Sequence, residues 1–443
     1  MNPKPLHVAA AAAPTSAFDI PAAPILIPPG PWTPVPGGGA TTPAGFRAAG
    51  MAAGLRAAGP KADLALVVAD APVAAGGVFT TNVMCAAPVT FCRTALAASS
   101  TATAVLINAG QANAATGAAG DADCAASAAG LAAALGIPPT QILLLSTGVI
   151  GRRIKMEPLL AALPTIVGQL GSTARDGLNA AVAVTTTDLV SKSAALEVDL
   201  GGGRTVRVGG FAKGSGMIHP NMATMLSLIT TDAPVDPAYW RTLLSAGADA
   251  SFNQISVDGD TSTNDTVIGL ASGAAGGAAI TGPASPGAPA LAAAVTALLQ
   301  GLAKSVAWDG EGATCLLECR ATGAADARAA RAVAKAVISS SLVKAAVFGH
   351  DPNWGRIACA AGYAGVDFDA NDLAIDLGPV PLMKAGQPLD FDAGVASAYL
   401  KARCAEHGTV EVAVSLGSGP GEGVAWGCDL SYDYVKINAE YTT

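Results

Sequence analysis

The chain has 443 residues, 51% of them hydrophobic and only 13% charged, with a net charge of −8. That length and apolar share exclude global disorder and leave room for a large core. The acidic, charge-poor balance excludes nucleic acid and anionic membranes as partners, because both would repel it.

In chain order, residues 1–39 are rich in Ala, Pro and Gly, as in Pro28-Pro29-Gly30-Pro31, and read as a flexible tail. Val8 to Ala13 is too short for an export signal, and no Arg precedes Arg47, against a mitochondrial leader. No uninterrupted apolar run reaches bilayer-spanning length, so a cytoplasmic location is expected. Leu64 to Ala69 and Ala102 to Asn108 are β-type runs. Asp121 is suited to cap a small-residue helix running to Leu135, stopped by Gly136. Ile142 to Leu145 reads as a strand, followed by the turn Ser146-Thr147-Gly148. Met156 to Leu170 is helical, with Pro164 expected to kink or break it. Leu196 to Val208 forms a hairpin around Gly201-Gly202-Gly203, and Met225 to Ile229 is a nearly continuous apolar strand.

Asp236 to Phe252 has helical spacing, with Pro237 in the first turn. A Gly/Ala/Pro loop over 273–289 leads into a helix from Ala290 to Val306, and Ala325 to Ser339 is another. Leu373 to Leu377, Val410 to Leu416 and Asp433 to Asn438 are strand candidates, with a helix from Gly394 to Glu406. There is no regular βαβ rhythm. The expected fold is α/β, with layered sheets between helices. A main region over 40–320 is followed by a C-terminal α/β region over 321–443.

Several chemistries fail on spacing. No Ser has Gly at both −2 and +2, so there is no nucleophile elbow. The Gly-rich stretch 417–423 is not followed by a helix and reads as a tight turn before a strand. Counting from Asp258, a calcium loop would need Gly at Thr263 and Glu at Gly269, so this stretch reads as a polar loop ordering a site wall. Cys315 and Cys319 lack a second ligand pair, so the eight Cys read as scattered, reduced thiols and no metal is expected.

The informative segment is Lys213-Gly-Ser-Gly-Met-Ile-His-Pro-Asn-Met-Ala-Thr224. Its glycines and the His219-Pro220 step favour a rigid turn that delivers Ala223 against Thr224 at the head of a buried strand. Residue types alone leave Thr224 either a strand threonine or a nucleophile.

The segment closely resembles the self-cleavage site of the ornithine acetyltransferase (glutamate N-acetyltransferase) family. The likeness runs through Gly45-Phe-Arg-Ala-Ala-Gly50, Gly77-Val-Phe-Thr-Thr-Asn82, Asn108-Ala-Gly-Gln-Ala-Asn113, Ser146-Thr-Gly-Val-Ile-Gly151 and Ser256-Val-Asp-Gly-Asp-Thr-Ser-Thr-Asn-Asp265. It continues through Gly349-His-Asp-Pro-Asn-Trp-Gly-Arg356 and Trp426-Gly-Cys-Asp-Leu430 to Lys436-Ile-Asn-Ala439.

The resemblance implies an aminopeptidase/ornithine-acetyltransferase-like self-processing fold and cleavage at Ala223–Thr224, giving chains 1–223 and 224–443. It implies Thr224 as nucleophile, with its freed amine as base, and Thr147 and Gly148 as the oxyanion hole. Thr187, Lys213, Glu311, Asn438 and Thr443 would contact substrate. Acetyl would pass from N2-acetyl-L-ornithine to L-glutamate in arginine biosynthesis without a cofactor, with acetyl-CoA open as a second donor and an α2β2 heterotetramer as the assembly. The chain departs from the pattern at Cys315, where Lys is usual, and before Lys192, where Pro is usual.

Overall fold

The computed structural model describes residues 18–56, 61–219 and 225–440. Two mixed sheets organise them. The larger has nine strands. Its path runs Trp32–Pro34, Lys192–Asp199, Thr205–Lys213, Leu226–Thr231, Thr266–Ala271, Leu64–Phe79, Thr101–Gln111, Ile142–Val149, with Phe46–Met51 also paired to Leu64–Phe79. The second has seven strands. It runs Gln387–Pro388, Val380–Lys384, Ala374–Leu377, Thr409–Ser415, Leu316–Ala324, Gly421–Cys428, Ile255–Ser256. Most neighbours are antiparallel, so this is not a doubly wound parallel fold.

Leu64–Phe79 shows why its first six residues are uniformly apolar. Leu64, Leu66 and Val68 pack toward the helices Gly117–Leu135 and Met156–Gly168, in one cluster with Leu131, Leu159 and Leu163. Ala65, Val67 and Ala69 join the opposite cluster, with Ile107, Leu228 and Ile268. A strand covered on both faces needs apolar residues at successive positions. The helix Ala288–Trp308 then links the sheets. Its buried face shares a cluster with Leu196, Val208 and Ile229 of the first sheet and Leu316 and Trp426 of the second. Among the described residues it is the one helix long and apolar enough to cross a membrane, and this packing accounts for that composition.

Five local expectations are corrected. Residues 18–39 of the expected flexible tail are docked: Trp32–Pro34 pairs with Lys192–Asp199, and Ile25 and Ile27 pack against the core around the helix Ala288–Trp308. Asp121 does not cap its helix, which begins at Gly117 after Thr116 and ends at left-handed Gly136 as expected. Pro164 does not break Met156–Gly168, because Leu163 and Ile166 beside it are buried against neighbours. Thr147 and Gly148 are not a turn; they extend the strand to Val149. Asp433 to Asn438 is not a strand; it lies in the helix Tyr432–Glu440.

Candidate active site

A cavity of about 150 Å³ lies where several strands of the larger sheet end. Thr147, Gly148, Thr187, Lys213, Glu311 and Asn438 all line it, although they come from five separate stretches of chain. Ala223, Thr224 and Thr443 lie outside the described residues. The flanks of the first two, Ile218 and Met225, are both in the cavity wall.

One wall is made of backbone. Thr147 and Gly148 run parallel to Ala109 and Gly110, in register. Gly148 has φ +125°, and a Cβ there would sit 2.4 Å from the Gly110 carbonyl carbon. Only glycine allows both that conformation and that approach. Asn264 braces the wall, its side-chain amide donating to the Ser146 carbonyl at 2.8 Å and the Ala112 carbonyl at 2.6 Å.

A second wall is charged. Lys213 ends the strand Thr205–Lys213 and pairs across the ladder with Leu226. Its Nζ donates to Thr186 Oγ1 at 3.3 Å. Burial pushes the Lys213 ammonium below its ordinary pKa, partly offset by the carboxylates of Asp188 and Asp265. Beneath it lies a triad that sequence reading missed. Lys192 is fully buried, 2.7 Å from Asp188 Oδ1 and 2.6 Å from Asp309 Oδ2. Burial works to raise the Asp188 carboxyl, but Lys192 and Lys213 hold it well below the usual range. Burial also works against the Lys192 charge, yet the two carboxylates keep its pKa raised. Asp309 is pushed up to about 6 by burial, against the pull of Lys192. Asp188 also accepts from the Gly214 and Thr186 amides at 2.7 and 2.9 Å. The triad thus ties together the segments carrying Thr187, Lys213 and Glu311. The members are up to 121 positions apart, and the one local signal in the sequence was the i, i+4 spacing of Asp188 and Lys192.

The third wall is made of side chains. The Glu311 amide donates to the Ser215 carbonyl at 3.0 Å, and Asn438 Nδ2 donates to Glu311 Oε2 at 2.8 Å. Gly216 makes room, since a Cβ there would lie 2.4 Å from the Glu311 carboxyl carbon. Helical spacing, rather than strand alternation, sets Tyr434 and Asn438 on one face, and both line the cavity. The loop read as a polar wall does border the cavity. Asp258 accepts from the Met217 and Ile218 amides at 2.6 and 2.8 Å, fixing the chain just before His219. Burial raises the Asp258 carboxyl and, with Asp258 beside it, the Tyr434 phenol. His219 is pushed down to about 4 by burial and by the charge of Lys335, and its Nδ1 lies 3.0 Å from Ser256 Oγ.

Two mixed sheets joined by a buried helix, with a cavity carrying a cation, a carboxylate and hydroxyls, define an α/β enzyme for a small polar molecule. Residues 47–443 match the model of the ArgJ family, and the chain belongs to that family. It is 58% identical to arginine biosynthesis bifunctional protein ArgJ, chloroplastic, of Physcomitrium patens, over 96% of this chain and 81% of that protein. The protein of the same name from Populus trichocarpa is also 58% identical, over 96% of this chain and 88% of its own length.

Among solved structures, the chain is similar to arginine biosynthesis bifunctional protein ArgJ of Bacillus halodurans, at 46% identity and a TM-score of 0.47, covering 49% of this chain and 100% of that one. It is also similar to the ornithine acetyltransferase of Mycobacterium tuberculosis, solved with ornithine, at 42% identity and a TM-score of 0.41, covering 43% of this chain and 100% of that one.

Proposed function

We propose that the chain cuts itself between Ala223 and Thr224 and uses the freed threonine to carry acetyl from N2-acetyl-L-ornithine to L-glutamate. The carrying observation is that five distant stretches meet in one cavity bordered by Met225, the residue after the proposed nucleophile. A threonine hydroxyl needs a proton acceptor to attack a carbonyl. Scission supplies one on the same residue, an α-amine with a reference pKa of about 7.7–8.0. Nucleophile and base are then held together without long-range positioning.

Thr224 Oγ attacks the acetyl carbonyl, its proton passing to the amine. The oxyanion is met at the Thr147–Gly148 strand end, where each aimed donor contributes about 3–4 kcal/mol. Ornithine leaves with the proton, and the glutamate amine takes the acetyl from the threonine ester. Lys213 serves the α-carboxylate common to both amino acids. Glu311, held by Asn438, meets the ornithine ammonium, with Thr187 and Thr443 completing the contacts. The residues need no metal or nucleotide for these steps.

The arginine-biosynthesis naming of the relatives supports the pathway, and the word bifunctional in those names supports acetyl-CoA as a second donor. Their chloroplast designation favours a plastid over the cytoplasmic location expected from sequence. The cleaved halves would pair as an α2β2 heterotetramer.

Intact-mass analysis tests the reading first: two fragments near half of 43.3 kDa are expected. Incubation with acetylornithine and labelled glutamate should give labelled acetylglutamate; acetate in its place would make the protein a hydrolase. Thr224→Ala should stay full length and inactive, and turnover by that variant would remove Thr224 from the mechanism. Deleting Thr443 should raise the glutamate KM with processing intact.

A further inference from the structure

A second set of reactive groups converges away from the cavity. Cys315 is fully buried just before the strand Leu316–Ala324, and Cys404 is half-buried in the last turn of the helix Ala393–Ala405. Asp429, 2% exposed, follows the strand Gly421–Cys428. The two sulfurs and a carboxylate oxygen of Asp429 all lie within 4.8 Å of one another. Asp429 is firmly placed, accepting from the Thr314 amide at 2.7 Å, Thr314 Oγ1 at 2.6 Å and the Cys315 amide at 3.4 Å.

The remaining thiols lack this arrangement. Cys92 is bonded to the Leu144 backbone, Cys319 is wholly buried, and Cys428 takes the Lys344 ammonium at 3.5 Å. Cys359 is exposed and belongs to no such group. Cys315 and Cys404 differ from one another in a useful way. The interaction between the two neighbouring thiols, together with burial, raises the Cys315 thiol, while the same interaction lowers Cys404. The half-exposed sulfur is therefore the one that more readily carries thiolate, and the buried one keeps its proton.

We propose that Cys315 and Cys404 form a disulfide by exchange with a low-molecular-weight disulfide, tying the helix Ala393–Ala405 to the loop that carries Glu311. The Cys404 thiolate attacks one sulfur of the small disulfide and expels the other as a thiolate, which takes up a proton. Cys315, giving up its proton, attacks the Cys404 sulfur of the mixed disulfide and expels the second small thiol. Two protein thiols lose two electrons, and one small disulfide becomes two thiols. Bonded sulfurs sit about 2.05 Å apart. The pair starts within 4.8 Å, and one partner lies at a helix end, where backbone yields most readily. Glu311 is four residues before Cys315, and Thr314 between them is already fixed to Asp429.

The inference stands apart from acetyl transfer, since its readout is covalent. The full chain is incubated with oxidised glutathione, alkylated and digested for mass spectrometry. A cross-linked Cys315–Cys404 peptide pair, lighter by two hydrogens and split by dithiothreitol, is expected. Cys404→Ser should abolish it and Cys359→Ser should leave it. Hydrogen exchange over 311–315 should slow in the bridged form. Three results would overturn the proposal: only glutathione adducts on Cys404, a Cys315–Cys428 bridge, or zinc retained on Cys315, Cys404 and Asp429 that blocks oxidation.

Discussion

The wall formed by Thr147 and Gly148 and the wall formed by Glu311, Tyr434 and Asn438 face one cavity but are made differently. The first is backbone, fixed by a parallel ladder and by a glycine contact that admits no side chain. The second is side chains on a loop and a nine-residue terminal helix, held by single hydrogen bonds. In the reaction proposed above, stabilising the developing charge would call for the stiffness of the first. In the same proposal, accepting amino acids of different side-chain charge would suit the compliance of the second.

The largest expected effect tests the base on which the charged wall stands. Lys192→Met leaves two buried carboxylates without their cation and should cost about 3–5 kcal/mol in urea denaturation. The loss should be smaller at pH 5 than at pH 8. Without Lys192, the folded carboxyls titrate above their unfolded value of 3.8, so the folded state binds more protons and loses stability as pH rises. The parent chain already carries one such group in Asp309, at about 6.

Gly148→Ala comes next, and should lower kcat/KM at least about 100-fold while circular dichroism is unchanged. A normal rate would erase the distinction between the walls. Asn438→Ala, on the compliant side, should cost about 1–2 kcal/mol, read as a KM rise of about 5- to 30-fold with kcat nearly kept. A kcat collapse would place both walls in the chemistry. The smallest effect concerns His219. The unfolded imidazole takes a proton near pH 6.5 and the folded one near 4, so acidification through that window removes stability. His219→Gln should give a shallower fall in Tm between pH 6.5 and 4.

The apolar strands and the hairpin around Gly201–Gly203 were legible because their burial pattern is written in consecutive residues. Leu64–Phe79 runs ten residues past its apolar start, through a register shift between Val68 and Val73 that local pattern does not reveal. Tyr432–Glu440 was misread because Tyr, Val and Ile favour strands, whereas Asp429 and Ser431 anchor this segment where a helix fits. Six of the nine site residues named from sequence line the cavity. Those additions that escaped, Asp188, Lys192 and Asp309, act through pairings across long stretches of chain. The Cys315–Cys404 proximity escaped for the same reason.

The strand order carries one more consequence. Leu226–Thr231 and Thr266–Ala271 sit side by side in the larger sheet, with Thr205–Lys213 on one flank and Leu64–Phe79 on the other. If the backbone is severed ahead of Leu226, the two products remain interleaved like fingers of clasped hands. Neither could leave without tearing a ladder on each side. Reassembly of the denatured halves would then be second order, and its yield would fall with dilution, whereas folding of an uncut precursor would be a unimolecular step.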